Sequence, residues 1–128
     1  MNRTELKKYI AETYNVQPDY PWADTPDAAV FRHFDNKKWF ALIMKVQKCK
    51  IGLEGTEKID IVNFKCEPVL IDSLLKESGF FPAYHMNKIK WITAALDGTA
   101  KNDKIKMVLD MSFALTALKI KPRRKIDD

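Results

Sequence analysis

The sequence predicts an α+β domain in which an antiparallel sheet carries its helices on one face. Two observations predict this class. Helix-period and strand-period segments follow in the order α-β-β-β-α-β-α, and the strands bunch between the helices instead of alternating strictly with them. The chain has 128 residues, 46% hydrophobic and 30% charged, which suits one core formed without metal or disulfide staples. The domain is expected over 1–121, with 122–128 as a charged tail.

The first element is an amphipathic helix from about Thr4 to Tyr14. Leu6, Tyr9, Ile10, Thr13 and Tyr14 fall on one face, Asn2 stands as its cap, and Glu5 suits the positive helix end. Pro18, Pro21 and Pro26 make 15–27 a loop, anchored to the body by Trp22. Two strands follow at 28–34 and 38–48, joined as a hairpin by Asp35-Asn36-Lys37, where Asp and Asn tolerate positive φ. In the second strand Phe40, Leu42, Met44 and Val46 alternate with Trp39, Ala41, Ile43 and Lys45. Both sets are largely apolar, which predicts a central strand covered on each side. A turn over 51–56 leads to a third strand at 58–66.

Pro68 opens the next helix, where its missing N–H costs nothing, and Val69, Leu70, Ile71, Leu74 and Leu75 form its buried face. Gly79 stands as its left-handed stop. Residues 80–84 read as an aromatic loop before a strand at 88–96. The last helix begins near Asn102 or Asp103, buries Ile105, Val108, Leu109, Ser112 and Leu115, and ends before Pro122.

Charge is uneven. The formal net charge is +5, yet residues 37–50 alone hold Lys37, Lys38, Lys45, Lys48 and Lys50 with no acid, and Lys119, Lys121, Arg123, Arg124 and Lys125 crowd the end. Such blocks attract polyanions or keep a protein in solution. No apolar run approaches the roughly 20 residues that span a bilayer, and the amino terminus lacks a secretory pattern, so a cytoplasmic protein is expected. Cys49 and Cys66, 17 residues apart without a CxxC companion, indicate neither disulfide framework nor zinc site. His33 and His85 have no ligand spacing, and the four glycines form no phosphate loop, so no metal or cofactor is expected.

Several strings resemble the MmcQ/YjbR family. The clearest is Pro82-Ala83-Tyr84-His85-Met86-Asn87-Lys88 followed by Trp91. Asn63-Phe64-Lys65-Cys66-Glu67-Pro68 is similar to the family's strand-to-helix junction. Trp22, Val30-Phe31 and Lys38-Trp39-Phe40-Ala41 resemble its opening hairpin, and Leu96-Asp97-Gly98 and Ser112-Phe113 its later landmarks. Lys90 departs from the pattern, where the family often places histidine. The resemblance implies a CyaY-like (frataxin-like) two-layer sandwich and a DNA-binding role with a double-wing arrangement. It carries over no iron site, because the first helix sets Glu5 and Glu12 against Arg3, Lys7 and Lys8.

Three functional expectations result. In the first, DNA or another polyanion binds with little sequence readout. Lys45, Lys48 and Lys50 flank a wing-like 52–55 turn, Lys121, Arg123 and Arg124 supply a second patch, and His85, Asn87, Lys88 and Trp91 lie between them. The two cationic stretches are expected to converge on the His85–Lys88 segment of a monomer that performs no catalysis. In the second, Cys66, His85 and Asn87 form a ligand or enzymatic site of the thiol-hydrolase residue types, with Cys66 activated by a helix start. In the third, Phe80, Phe81 and Tyr84 dock a partner protein. For each group a structural role competes: lysines as solvated surface, His85 and Asn87 as loop cross-links, Trp91 and Cys66 as packed side chains.

Overall fold

The computed structural model describes residues 1–118. Helix α1 (Arg3–Tyr14) starts on a full capping box, in which the Asn2 side chain accepts from the Glu5 N–H and the Glu5 carboxylate accepts from the Asn2 N–H. It buries Leu6 and Ile10, keeps Tyr9 and Tyr14 half-buried, and stops at Asn15 in the left-handed region, φ 57°. Thr13, expected on the buried face, is exposed. The other elements are β1 (Ala29–Arg32), β2 (Trp39–Gln47), a single 3-10 turn (Lys48–Ile51), β3 (Lys58–Lys65), α2 (Pro68–Leu75), β4 (Phe80–Pro82), β5 (Trp91–Ala95) and α3 (Asn102–Thr116).

The five strands lie in the order β1-β2-β3-β5-β4, every neighbouring pair antiparallel. All three helices pack on one face, where Leu6, Ile10, Ile71, Leu74, Ile105, Val108 and Leu109 meet Phe31, Ile43, Val62, Phe64 and Ile92 of the sheet. The α+β class with helices on one side is therefore what the chain adopts. β4 is an added strand within the expected aromatic loop. It is three residues long at the sheet edge, too short to show a period.

The main departure from the expected pattern lies in β2. Phe31 pairs with Ala41 but Arg32 pairs with Trp39, so Phe40 is the extra residue of a β-bulge. Phe40 thereby joins Ala41 and Ile43 in the helix-side core, while Trp39 joins Leu42 and Met44 on the other face. The bulge also removes Phe40 from the ladder to β3, whose regular pairing begins at Ala41 and Phe64. The fully buried Ser112 of α3 fills that gap. Its hydroxyl donates to the Phe40 carbonyl at 2.6 Å and accepts from the Lys65 N–H at 2.8 Å.

The hairpin between β1 and β2 forms as expected, though Lys37 and not Asp35 or Asn36 takes the positive φ, 62°. The hairpin also sets where α3 ends. Nε2 of the buried His33 lies 3.0 Å from the Phe113 carbonyl and 2.9 Å from the Thr116 hydroxyl, and Asn36 Nδ2 donates to the Thr116 carbonyl at 2.9 Å. A carbonyl only accepts, so Nε2 carries the proton. With its last carbonyls satisfied in this way α3 stops at Thr116, and Pro122 is not its terminator. Gly79 likewise does not cap α2, which ends at Leu75. Its φ of +83° goes with a contact so close that a Cβ would lie 2.5 Å from the Ala100 nitrogen.

Both sheet edges are covered or short. Asp19, from the proline-rich loop, pairs with Val30 through two backbone bonds of 2.8 and 2.9 Å, and β4 ends at Pro82. Among the described residues no helix is long and apolar enough to cross a membrane.

Replacing Ser112 with alanine strands a buried carbonyl and an N–H at once. At about 1–3 kcal/mol for each unsatisfied group, the expected loss is about 3 kcal/mol. Chemical denaturation checks this, and a loss under about 1 kcal/mol would mean that the bulge is not held by that hydroxyl.

Candidate functional site

The sheet face away from the helices is covered by loops, and these carry the candidate site. Two apolar clusters lie on it: Ala28, Val30 and Leu42 with Trp22, Trp39 and Met44, and Val46, Ile51 and Ile61 with Phe81 and Tyr84. The segment 83–90 is fastened there by a buried polar network. Asn63, fully buried in β3, donates from Nδ2 to the Tyr84 carbonyl at 3.1 Å and accepts from the Thr93 hydroxyl through Oδ1. The Thr93 oxygen in turn accepts from the Tyr84 N–H at 2.9 Å. An amide buried in a sheet is costly unless satisfied, and this one is satisfied by holding the loop.

That anchorage presents His85. Its backbone is left-handed, φ 56°, its ring stacks on Tyr84 with centroids 4.0 Å apart, and it is exposed. The ring stands between two hollows. On one side a groove of about 370 Å³ is lined by Trp22, Trp39, Leu42, Met44 and Met86, with Asp24 its single acid among the described residues. Trp22 and Trp39 meet edge to face at 5.6 Å, and the Arg32 guanidinium lies 5.5 Å from the Trp39 ring while pairing with Asp19 at 2.8 Å. On the other side a hollow of about 510 Å³ is lined by Lys50, Ile51, Gly52, Pro82, Tyr84 and Lys88.

The expected cationic residues do not all meet here. Lys50 and Lys88 do, and neither has an ion-pair partner among the described residues. Lys45 points to the helix face, where it lies 3.3 Å from Asp60, a carboxylate shared with Arg3 of α1 at 3.0 Å. Lys48 pairs with Glu57 at 3.2 Å. Lys37 sits 4.9 Å from the Phe34 ring at the hairpin tip. The 37–50 block is thus divided among separate places, because strand alternation and the 3-10 turn aim its lysines apart. Lys121, Arg123 and Arg124 lie outside the described residues. The 52–55 turn expected as a wing carries Glu54 and no lysine of its own.

Asn87 builds the loop. Its Oδ1 accepts from the Ile89 and Lys90 N–H groups at 2.8 and 3.2 Å, and its carbonyl accepts from the Trp91 N–H at 2.9 Å. Trp91 is half-buried at the start of β5. Cys66 belongs to the helix-side core, with the sheet between it and His85. Burial, and then the neighbouring Glu67, push its thiol up to about 11, opposite to the expected activation. Phe80 is buried, and Phe81 and Tyr84 are partly buried against the loop-side cluster. Among the described residues no three His, Cys, Asp or Glu side chains are grouped to hold a metal.

The residues that sequence reasoning missed are the groove itself: Trp39, Met44 and Met86, with Arg32 over Trp39. Only the bulge brings Trp39 to this side, and no local pattern announces it. His85→Gly relieves the left-handed strain, so the variant is expected to be as stable as the parent or up to about 1 kcal/mol more so by denaturant titration. A marked loss would show that the ring itself holds the loop.

Comparison with known proteins agrees with this architecture. The chain is 41% identical over 116 residues to the uncharacterised protein YyaQ of Bacillus subtilis, covering 91% of this chain and 98% of that one. A Pseudomonas syringae protein solved by crystallography is 44% identical with a TM-score of 0.89, covering 91% of this chain and all of that one. A solution NMR structure from the same organism gives 43% and 0.86, covering 97% and 99%. A Deinococcus radiodurans protein shares the fold at a TM-score of 0.69 and 22% identity, over 95% of this chain and 83% of its own. The family model YjbR matches residues 3–115, nearly the whole described chain, and the chain belongs to the YjbR family.

Proposed function

We propose that the chain binds nucleic acid, DNA in the first instance, through the loop-covered face of its sheet, reads little sequence and performs no catalysis. One observation carries this reading. Lys50 and Lys88, from separate segments, line one hollow beside the exposed His85, and among the described residues no carboxylate pairs with either. Unneutralised ammonium groups on an exposed surface are what phosphate oxygens need, and each phosphate neutralised releases condensed counterions. Little readout is expected because lysine is a point charge, and Asn87 has committed its oxygen to the turn.

An enzymatic reading has less support, since the sheet separates Cys66 from His85 and burial disfavours the thiolate. A thiol reagent at about pH 8 is expected to label the exposed Cys49 readily and Cys66 only after denaturation. Fast labelling of both on the native protein would restore a nucleophile to consideration.

The binding test is a salt titration with a labelled oligonucleotide followed by anisotropy. Affinity should fall linearly on log–log axes, and Lys50→Ala and Lys88→Ala should each flatten the slope by about one unit. Lys45→Ala, on the opposite face, should leave the slope unchanged. Absence of binding to single-stranded or duplex DNA at about 0.05 M salt would end the proposal.

A further inference from the structure

We infer that the tryptophan-lined groove beside His85 takes an unpaired base, so that the protein prefers single-stranded nucleic acid to duplex. This rests on the nucleic-acid reading above and concerns the same face. A duplex keeps its bases stacked inside and offers a protein its phosphates and groove edges. An unpaired strand offers flat π faces as well, and surfaces that hold such strands combine a cationic track with aromatic platforms.

Both parts are present here, side by side. Trp22 and Trp39 stand edge to face at 5.6 Å, so the two indoles form an angled wall, and Met44 and Met86 supply polarisable, adaptable surface beside it. The groove of about 370 Å³ shares His85 with the Lys50–Lys88 hollow. A base in the first and its phosphate in the second would place the His85 ring between them. Arg32 lies over Trp39 with its charge paired to Asp19, and among the described residues Asp24 is the one acid lining the groove.

The features a duplex would need are weaker. The β2–β3 connection adjoining this site sets Glu54 and Glu57 among Lys48 and Lys50, and Glu57 holds Lys48, so it is not a uniformly cationic wing on which a duplex backbone could seat. Stacking also tolerates any base, in keeping with a face that has few directional groups to spare.

The test compares fluorescein-labelled oligothymidylate with a duplex of equal length in one low-salt buffer. The strand is expected to bind at least about tenfold more tightly and to quench the native tryptophan emission. Trp22→Ala should weaken strand binding by about 5- to 150-fold, the equivalent of about 1–3 kcal/mol for one stacked base, and leave duplex affinity unchanged. Trp22→Phe, which keeps a π face, should retain most of the affinity, and thermal melts of both variants establish that they are folded. Equal or tighter duplex binding overturns the inference while the polyanion reading stands. So does strand binding without emission quenching, a readout that needs no variant. Displacement of the strand by thymidine 5′-monophosphate at comparable concentration would make the groove a mononucleotide site and overturn it too. If neither strand nor duplex binds, both readings fall together.

Discussion

The working face of this protein depends on one irregularity, the extra residue at Phe40. A bulge costs a pair of ladder hydrogen bonds, and in a buried central strand that loss must be made good. Ser112 does so with a single hydroxyl, donating to one strand and accepting from the next. The same atom therefore ties α3 to the middle of the sheet. Without the offset, β2 alternation would send Trp39 into the helix-side core and bring Phe40 to the loop side. The aromatic groove, which lies far from Ser112 in sequence, is a product of that stitch.

A second layer of organisation lies on the loop side. Among the described residues no helix covers this face, which is closed by loops, and loops need polar anchorage. The Asn63–Thr93–Tyr84 network provides it from within the sheet, using buried groups that would be costly if left unpaired. Fastening the chain at Tyr84 leaves His85 in a left-handed conformation that few residues other than glycine, asparagine and aspartate adopt readily. Strain of this kind persists where the surroundings enforce it, and the enforcing elements here are identifiable.

Most of the fold was legible in the sequence because it follows from period and punctuation. Asn2 and Glu5 announce α1, Pro68 opens α2, and Leu6, Ile10, Ile105, Val108 and Leu109 sit where their spacing puts them. What escaped depends on contacts distant in the chain. The three-residue β4 is defined by β5, not by its own residues, and the end of α3 is set by His33 and Asn36 some 80 residues upstream. The candidate site was legible by half. The segment from His85 to Trp91 and Lys50 stood out by composition, and of these Lys50 and Lys88 line one hollow. Lys45 and Lys48 shared a charge block with Lys50, but a run of like charge says nothing about direction. Cys66 looked activated by its helix start, yet its place under α3 sets its thiol the other way.

The pairing of Asp19 with Val30 has a consequence for the protein's behaviour at high concentration. It occupies the open side of β1 with a single extended residue, so that margin offers little free backbone to a neighbour. The opposite margin is only three residues long and finishes in an imino acid that cannot donate. A five-stranded sheet with both rims closed in this way is a poor template for strand-by-strand addition, which guards against aggregation through exposed edges.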